Sequence, residues 1–224
     1  PSPSRWCTSS TRWWYPSRWK VTESSGDTSL DMHQGEQAVQ VSRAGPDDVL
    51  CIFLAGGEVI IYSGSDPGDA SAWSIVGQYR IGQPLHRRAI VKFGADIAVV
   101  TRDGYVALSR VLKSAETEYP ITLSDKIKDA AVDEVVDHFS NFGWQIQPYP
   151  QGHYLLINIP HSATQSHQHV MNTATGAWCQ FTGQDAMCWG LLNGSLYFGA
   201  ANGVVYLADS GTSDGGAEIV GDCY

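Results

Sequence analysis

Short apolar runs closed by glycine turns recur along this sequence, and that recurrence limits the fold more than any other feature. Val49-Leu50-Cys51-Ile52-Phe53-Leu54 leads into Ala55-Gly56-Gly57 and returns as Glu58-Val59-Ile60-Ile61-Tyr62. Glycine adopts φ > 0 at a turn without a Cβ penalty, so this reads as a β-hairpin. Asp96-Ile97-Ala98-Val99-Val100-Thr101, the turn Arg102-Asp103-Gly104, and Tyr105-Val106-Ala107-Leu108 repeat the plan, with Gly104 placed 47 residues after Gly57. A period of about 40–50 residues is that of a four-stranded propeller blade.

Further strands follow the same rules. Trp73–Ile81 alternates apolar and polar residues, as a half-exposed strand does, and Ala89–Phe93 is a short strand before the second hairpin. His153–Ile159 and His169–Asn172 precede the turn Thr173-Ala174-Thr175-Gly176, which leads into Ala177–Phe181. Two Asn-Gly turns, Asn193-Gly194 and Asn202-Gly203, join three short apolar strands between Met187 and Asp209, the strongest hairpin signal in the chain. One segment departs from this pattern. Ser124 reads as an N-cap with Asp125 in the first turn, and Ile127, Ala131, Val135 and Phe139 follow at helical spacing, widened by Ala130, Val132 and Val136. Gly143 suits the residue just past a helix end. An amphipathic helix over 124–141 is therefore expected on the outside of the β-array, with Lys126, Lys128, Asp129, Asp133 and Asp137 on its solvated face.

The fold expected is all-β: a propeller-like array of about four antiparallel blades over residues 47–224, with one inserted helix. Each small sheet has two faces and cannot bury both alone, so neighbouring sheets must stack. Four blades are the minimum for a closed propeller, and the array also reads as an incomplete arc finished by residues outside this sequence. Residues 1–46 form an atypical N-terminal segment. Its start holds Trp6, Trp13, Trp14 and Trp19, half of the eight tryptophans, with Arg5, Arg12, Arg18 and Lys20 and no acid. Three readings of it stay open: a basic aromatic arm for a partner or nucleic acid, an irregular segment packed on its own domain, and a misassigned reading frame.

With 43% hydrophobic and 17% charged residues, the 224-residue chain is too apolar for disorder and long enough to bury a core. Its formal net charge of −9, without basic clusters beyond residue 20, argues against gripping nucleic acid through phosphates. An acidic surface suits a conduit that DNA passes without sticking, and equally suits plain solubility. No apolar run reaches the ~20 residues of a membrane span, and the N-terminus lacks a signal-peptide core. Cys7, Cys51, Cys179, Cys188 and Cys223 are odd in number and irregular in spacing, which disfavours a disulfide framework or a zinc motif and points to a reducing compartment. Cys51, Cys179 and Cys188, in apolar strands, read as buried small hydrophobes.

Four blocks carry a resemblance. The first is Glu58–Pro67 with Trp73 and Tyr79-Arg80-Ile81-Gly82-Gln83-Pro84-Leu85. The second is Phe93-Gly94-Ala95-Asp96 with Thr101-Arg102-Asp103-Gly104 and Leu108-Ser109. The third is Val170–Gly183, and the fourth is Leu196-Tyr197-Phe198-Gly199 with Gly203-Val204-Val205-Tyr206 and Asp209. In order and spacing, over roughly residues 47–219, they resemble the β-propeller-containing tail hub or nozzle proteins of short-tailed bacteriophages, a group that includes the packaged-DNA stabilisation proteins. The resemblance implies a structural virion protein made in the host cytoplasm. It would assemble with copies of itself in a ring, usually six-fold, below the portal and adaptor and beside other tail proteins. Such a ring retains packaged DNA and lets it out without sequence-specific contact. Two rivals stand beside it: a host-glycan-binding or depolymerising tail protein, and a cellular propeller adaptor.

No catalytic residue, cofactor or small-molecule substrate is expected, and the chain reads as a non-enzyme: it lacks GxSxG, P-loop, GxGxxG and HExxH motifs. His153, His161, His167 and His169 are the one tempting cluster. His167 and His169 share a face if extended, but no Cys or carboxylate accompanies them locally, so surface histidines are the default reading and no metal site is expected. Asp47-Asp48, Asp66, Asp69, Asp103 and Asp209 fall at turns, where a carboxylate caps local backbone. Trp73, Trp144, Trp178 and Trp189 are expected between adjacent sheets. His86-Arg87-Arg88 reads as an exposed basic turn.

Overall fold

The structure, a computed structural model, describes residues 38–44, 49–66, 69, 71–114, 123–211, 213–214 and 217–218. The Trp-rich start, Asp47-Asp48, Cys7 and Cys223 lie outside them. Four antiparallel sheets follow one another along the chain, each a meander of adjacent strands. The first contains β1 (Ala38–Ala44), β2 (Val49–Leu54), β3 (Glu58–Gly64) and β4 (Trp73–Arg80). Its first strand thus lies upstream of residue 47, where the regular apolar pattern begins. The second contains β5 (Ile90–Phe93), β6 (Asp96–Thr101) and β7 (Gly104–Ala107). The third contains β8 (Gln145–Tyr149), β9 (Tyr154–Pro160), β10 (Ser166–Asn172) and β11 (Trp178–Phe181). The fourth contains β12 (Ala186–Leu192), β13 (Ser195–Ala200) and β14 (Val205–Leu207). A two-residue ladder, Ser213–Asp214 with Ala217–Glu218, follows.

The turns obey the glycine logic. Gly57 (φ +93°) and Gly104 (φ +116°) close the equivalent hairpins, and Asn193 (φ +53°) with Gly194 (φ +80°) gives the two positive φ values of a type I′ turn. At Gly57 a Cβ would lie 2.4 Å from the Ile81 carbonyl oxygen, whereas at Gly94 (φ +63°) it would meet nothing within 4 Å. Gly57→Ala is therefore expected to destabilise by about 2–3 kcal/mol and Gly94→Ala by only about 1 kcal/mol. Urea melts of the two variants test the difference, and equal losses would disprove the steric account.

The cores lie between sheets. Cys51, Phe53, Val59 and Ile61 of the first sheet meet Ile90, Ile97 and Val99 of the second. Ala98, Val100 and Tyr105 on the second sheet's other face meet Trp144, Ile146, Leu155, Ile157 and Ile159 of the third. Tyr149, Leu156 and Val170 then meet Ala186, Trp189 and Leu196 of the fourth. Successive residues of β6 and β9 thus serve alternate cores, because side chains alternate across a strand. The first strand of each sheet packs on the first strand of the next: β1 on β5, β5 on β8, β8 on β12.

Two helices interrupt the sheets. α1 (Leu108–Ser114) starts where the sequence pattern continues a strand. The reason is distant in sequence: Asp96 accepts hydrogen bonds from the Ser109 backbone N–H and hydroxyl, and so caps the new helix. The expected helix over 124–141 is shorter at both ends, a single 3₁₀ turn Asp125–Ile127 followed by α2 (Lys128–His138). Ser124 makes no cap hydrogen bond; its buried hydroxyl accepts the Tyr105 N–H at 3.2 Å. Ala131 and Val135 enter the core between the second and third sheets, while Ala130, Val136 and Phe139 are exposed, so the apolar stripe is narrower than the sequence implies. At the C-terminal end Trp144 Nε1 donates to the His138 carbonyl at 2.8 Å, which holds α2 across the joint between these two sheets.

Trp144 and Trp189 are buried between sheets as expected, and the half-buried Trp178 packs on Tyr105 across the joint between the second and third sheets, whereas Trp73 stacks on Tyr62 within its own sheet. Cys51 is buried, but Cys179 and Cys188 are exposed, contrary to the sequence reading. Cys179 lies on the edge strand β11, and Cys188 on the far face of the fourth sheet, where no further described sheet covers it.

Candidate functional site

The β9–β10 hairpin places three histidines. Its register sets His167 opposite Ile159 and His169 opposite Ile157, so both imidazoles face the core shared with the second sheet. They are buried, at 7% and 6% exposure, contrary to the surface reading. The connection Ser162–Gln165 is a tight turn in which the Ser162 hydroxyl accepts the Thr164 and Gln165 N–H groups. Asn141 Nδ2 donates to the carbonyls of Pro160 and His161, both at 3.0 Å. This fixes His161 beside His167, with ring centroids 4.3 Å apart and His161 Nε2 against His167 Nδ1.

The missing carboxylate comes from α2. Glu134 and His138, four residues apart, share one helix face beside the buried Ala131–Val135 stripe and reach over the hairpin. Nε2 of His138 lies 3.6 Å from Glu134 Oε2, Nε2 of His161 lies 3.7 Å from the same oxygen, and Nε2 of His167 lies 3.1 Å from Oε1. On the inner side His169 Nδ1 meets the Tyr105 hydroxyl at 2.9 Å. His153, the fourth histidine of the sequence cluster, is exposed at the opposite end of β9 and takes no part.

Burial dominates the electrostatics. It lowers His169 to about 4, and lowers His167 to about 4 with help from the neighbouring His161, His169 and His138. Both are neutral at pH 7. Burial raises the Glu134 carboxyl above its usual range, opposed by His161 and His138, and raises the Tyr105 hydroxyl well above its own. The result is a cluster of imidazoles, His167 and His169 neutral among them, around one carboxylate, able to share protons or to donate lone pairs to a metal ion. The sequence signal for Glu134 and His138 was their i, i+4 spacing at the edge of an apolar stripe. It becomes informative only once α2 is known to lie on β9.

The other candidates have structural work. Asp69 accepts the Ser71 N–H at 2.8 Å and hydroxyl at 2.7 Å, an ordinary turn cap. His86-Arg87-Arg88 enters a 3₁₀ turn, Arg87–Ala89, and the Arg88 guanidinium lies 4.8 Å over the Phe142 ring. No protein-family model matches the chain, and no curated protein matches it.

Proposed function

We propose that this chain is a structural subunit of a short-tailed phage's tail hub, nozzle or neck ring, building part of the wall of a DNA channel and retaining packaged DNA. The observation that carries the reading is the packing of β1, β5, β8 and β12 in succession. It supports reading the sheets as blades about a common axis, the architecture that the four resembling sequence blocks imply. A net charge of −9 suits a wall that DNA must pass without adhering. The chemistry is assembly, through contacts with sister copies and with the portal, adaptor and other tail proteins.

The fourth sheet offers a surface for such contacts. Its far face carries Cys188, Leu192, Tyr197, Val205 and Leu207, with Leu192 62%, Val205 68% and Leu207 49% exposed. A contiguous apolar face on an outermost blade is where a neighbour docks. Val205→Asp is expected to convert rings into monomers without lowering the melting temperature. Light scattering and negative-stain images of the full chain test this. A wild-type protein that stays monomeric at high concentration and forms no ring with portal or adaptor would overturn the reading.

A further inference from the structure

The contacts around Glu134 are those of a ligand set rather than of a hydrogen-bonded cluster. A carboxylate held by imidazole N–H groups shows aligned donors at about 2.9 Å. Here His138 and His161 stand off at 3.6 and 3.7 Å. His167 Nε2, at 3.1 Å, lies off the line of a hydrogen bond and has no hydrogen-bond partner although the residue is only 7% exposed. A buried nitrogen left without a hydrogen-bond partner is costly unless something else occupies its lone pair. A tetrahedral ion with bonds of about 2.0–2.1 Å holds its ligand atoms roughly 3.3 Å apart, close to the spacings seen here.

We propose that Glu134 and the imidazoles of His161, His167 and His169 form a four-ligand binding site, with His138 beside it, for one divalent transition-metal ion of the Zn2+ class. Glu134 belongs to two triads, Glu134–His138–His161 and Glu134–His167–His169, and within each the ligand atoms lie within 4.8 Å of one another. Imidazole and carboxylate donors favour Zn2+, Co2+ or Ni2+ over Mg2+ and Ca2+. The Tyr105 hydroxyl completes the arrangement. It faces His169 Nδ1, leaving Nε2 as the ligating atom, the support that metal-bound histidines receive from a neighbouring acceptor. Bound here, the ion ties α2 to the β9–β10 hairpin and closes the joint between the second and third sheets. His161, with 38% of its side chain exposed, leaves a route for the ion from solvent.

The test uses the full chain, stripped with EDTA and titrated with ZnCl2 by calorimetry and with CoCl2 by absorbance. One ion per chain is expected, with tetrahedral Co2+ bands and, at a hundredfold excess over Kd, a melting temperature higher by roughly 5–10 °C. Glu134→Gln and His161→Ala should each abolish the Co2+ bands. His161→Ala removes an exposed side chain, so it keeps the fold even if Glu134→Gln does not. Tyr105→Phe should weaken binding roughly 10–100-fold. An absence of Zn2+ binding by the wild type, or wild-type binding by both Glu134→Gln and His161→Ala, would overturn the site.

Discussion

Asn158→Leu is expected to reduce the unfolding free energy by about 4–6 kcal/mol, because the side chain satisfies four buried groups at once. Asn158 is fully buried. Its Nδ2 donates to the Gly143 carbonyl at 2.9 Å and the Ala186 carbonyl at 3.0 Å, and its Oδ1 accepts from Gln168 Nε2 at 3.0 Å and Trp189 Nε1 at 2.9 Å. Gln145 runs in parallel, donating to the Trp189 carbonyl at 2.8 Å and accepting the Trp189 N–H at 2.9 Å. Between them they join the third sheet to the fourth by hydrogen bonds with directions, where apolar packing alone would allow the sheets to slide. Leucine keeps the volume but takes their partner from the Gly143 carbonyl and Trp189 Nε1, while the Ala186 carbonyl keeps the Ser166 hydroxyl and Gln168 Nε2 keeps the Gln184 carbonyl. Domain stabilities of roughly 5–15 kcal/mol leave little margin for such a loss. Gln147→Leu, at a half-buried position whose amide bonds the adjacent Pro148 carbonyl, is the control and should change stability by under about 1 kcal/mol. Urea melts separate the two variants, and amide exchange should quicken first in β12–β14. An Asn158→Leu protein within 1 kcal/mol of wild type would show that apolar packing alone fixes the blade joint.

This network was not legible in the sequence, and the reason is physical. The period-2 alternation of β6 and β9 and the turns at Gly57, Gly104 and Asn193-Gly194 are encoded by neighbours in the chain. Sheets, hairpins and the need for stacked faces could therefore be read directly. Asn158 sits in an apolar strand, where its polarity looks like noise until Trp189 and Ala186 are brought beside it. α1 was missed for the same reason, since its cap is Asp96 on another strand. Ser124 carried a correct signal with the wrong partner: a hydroxyl is needed there, but by Tyr105 N–H. In the histidine cluster His167 and His169 were placed on one face by strand geometry, while Glu134 and His138 stayed hidden among the charges of a helix whose orientation depends on Trp144 and the Ala131–Val135 contact.

Acid should unfold the metal-free protein through that cluster. His167 and His169, at about 4 in the fold, return to about 6.5 when unfolded. The unfolded chain therefore binds more protons between these values, and stability falls as pH drops from 6.5 towards 4, levels off below 4, and is fully present above 6.5. Glu134 acts in the opposite sense: burial raises its pKa, so the native state holds a proton that the unfolded chain has already lost, which offsets part of the loss. His138 and His161 flank the same carboxylate, and Tyr105, well above its usual pKa, stays protonated throughout. Two histidines against one carboxyl leave a net loss of roughly 2–5 kcal/mol between pH 7 and 4, at up to about 1.4 kcal/mol per pH unit for each proton taken up on unfolding. Urea melts of EDTA-treated protein at half-unit steps measure the slope. His169→Gln, which keeps a polar group beside Tyr105 but cannot titrate, should remove close to half of it. A slope unchanged by His169→Gln, or a wild type equally stable at pH 4.5 and 7, would mean that the buried imidazoles protonate without opening the joint between the second and third sheets.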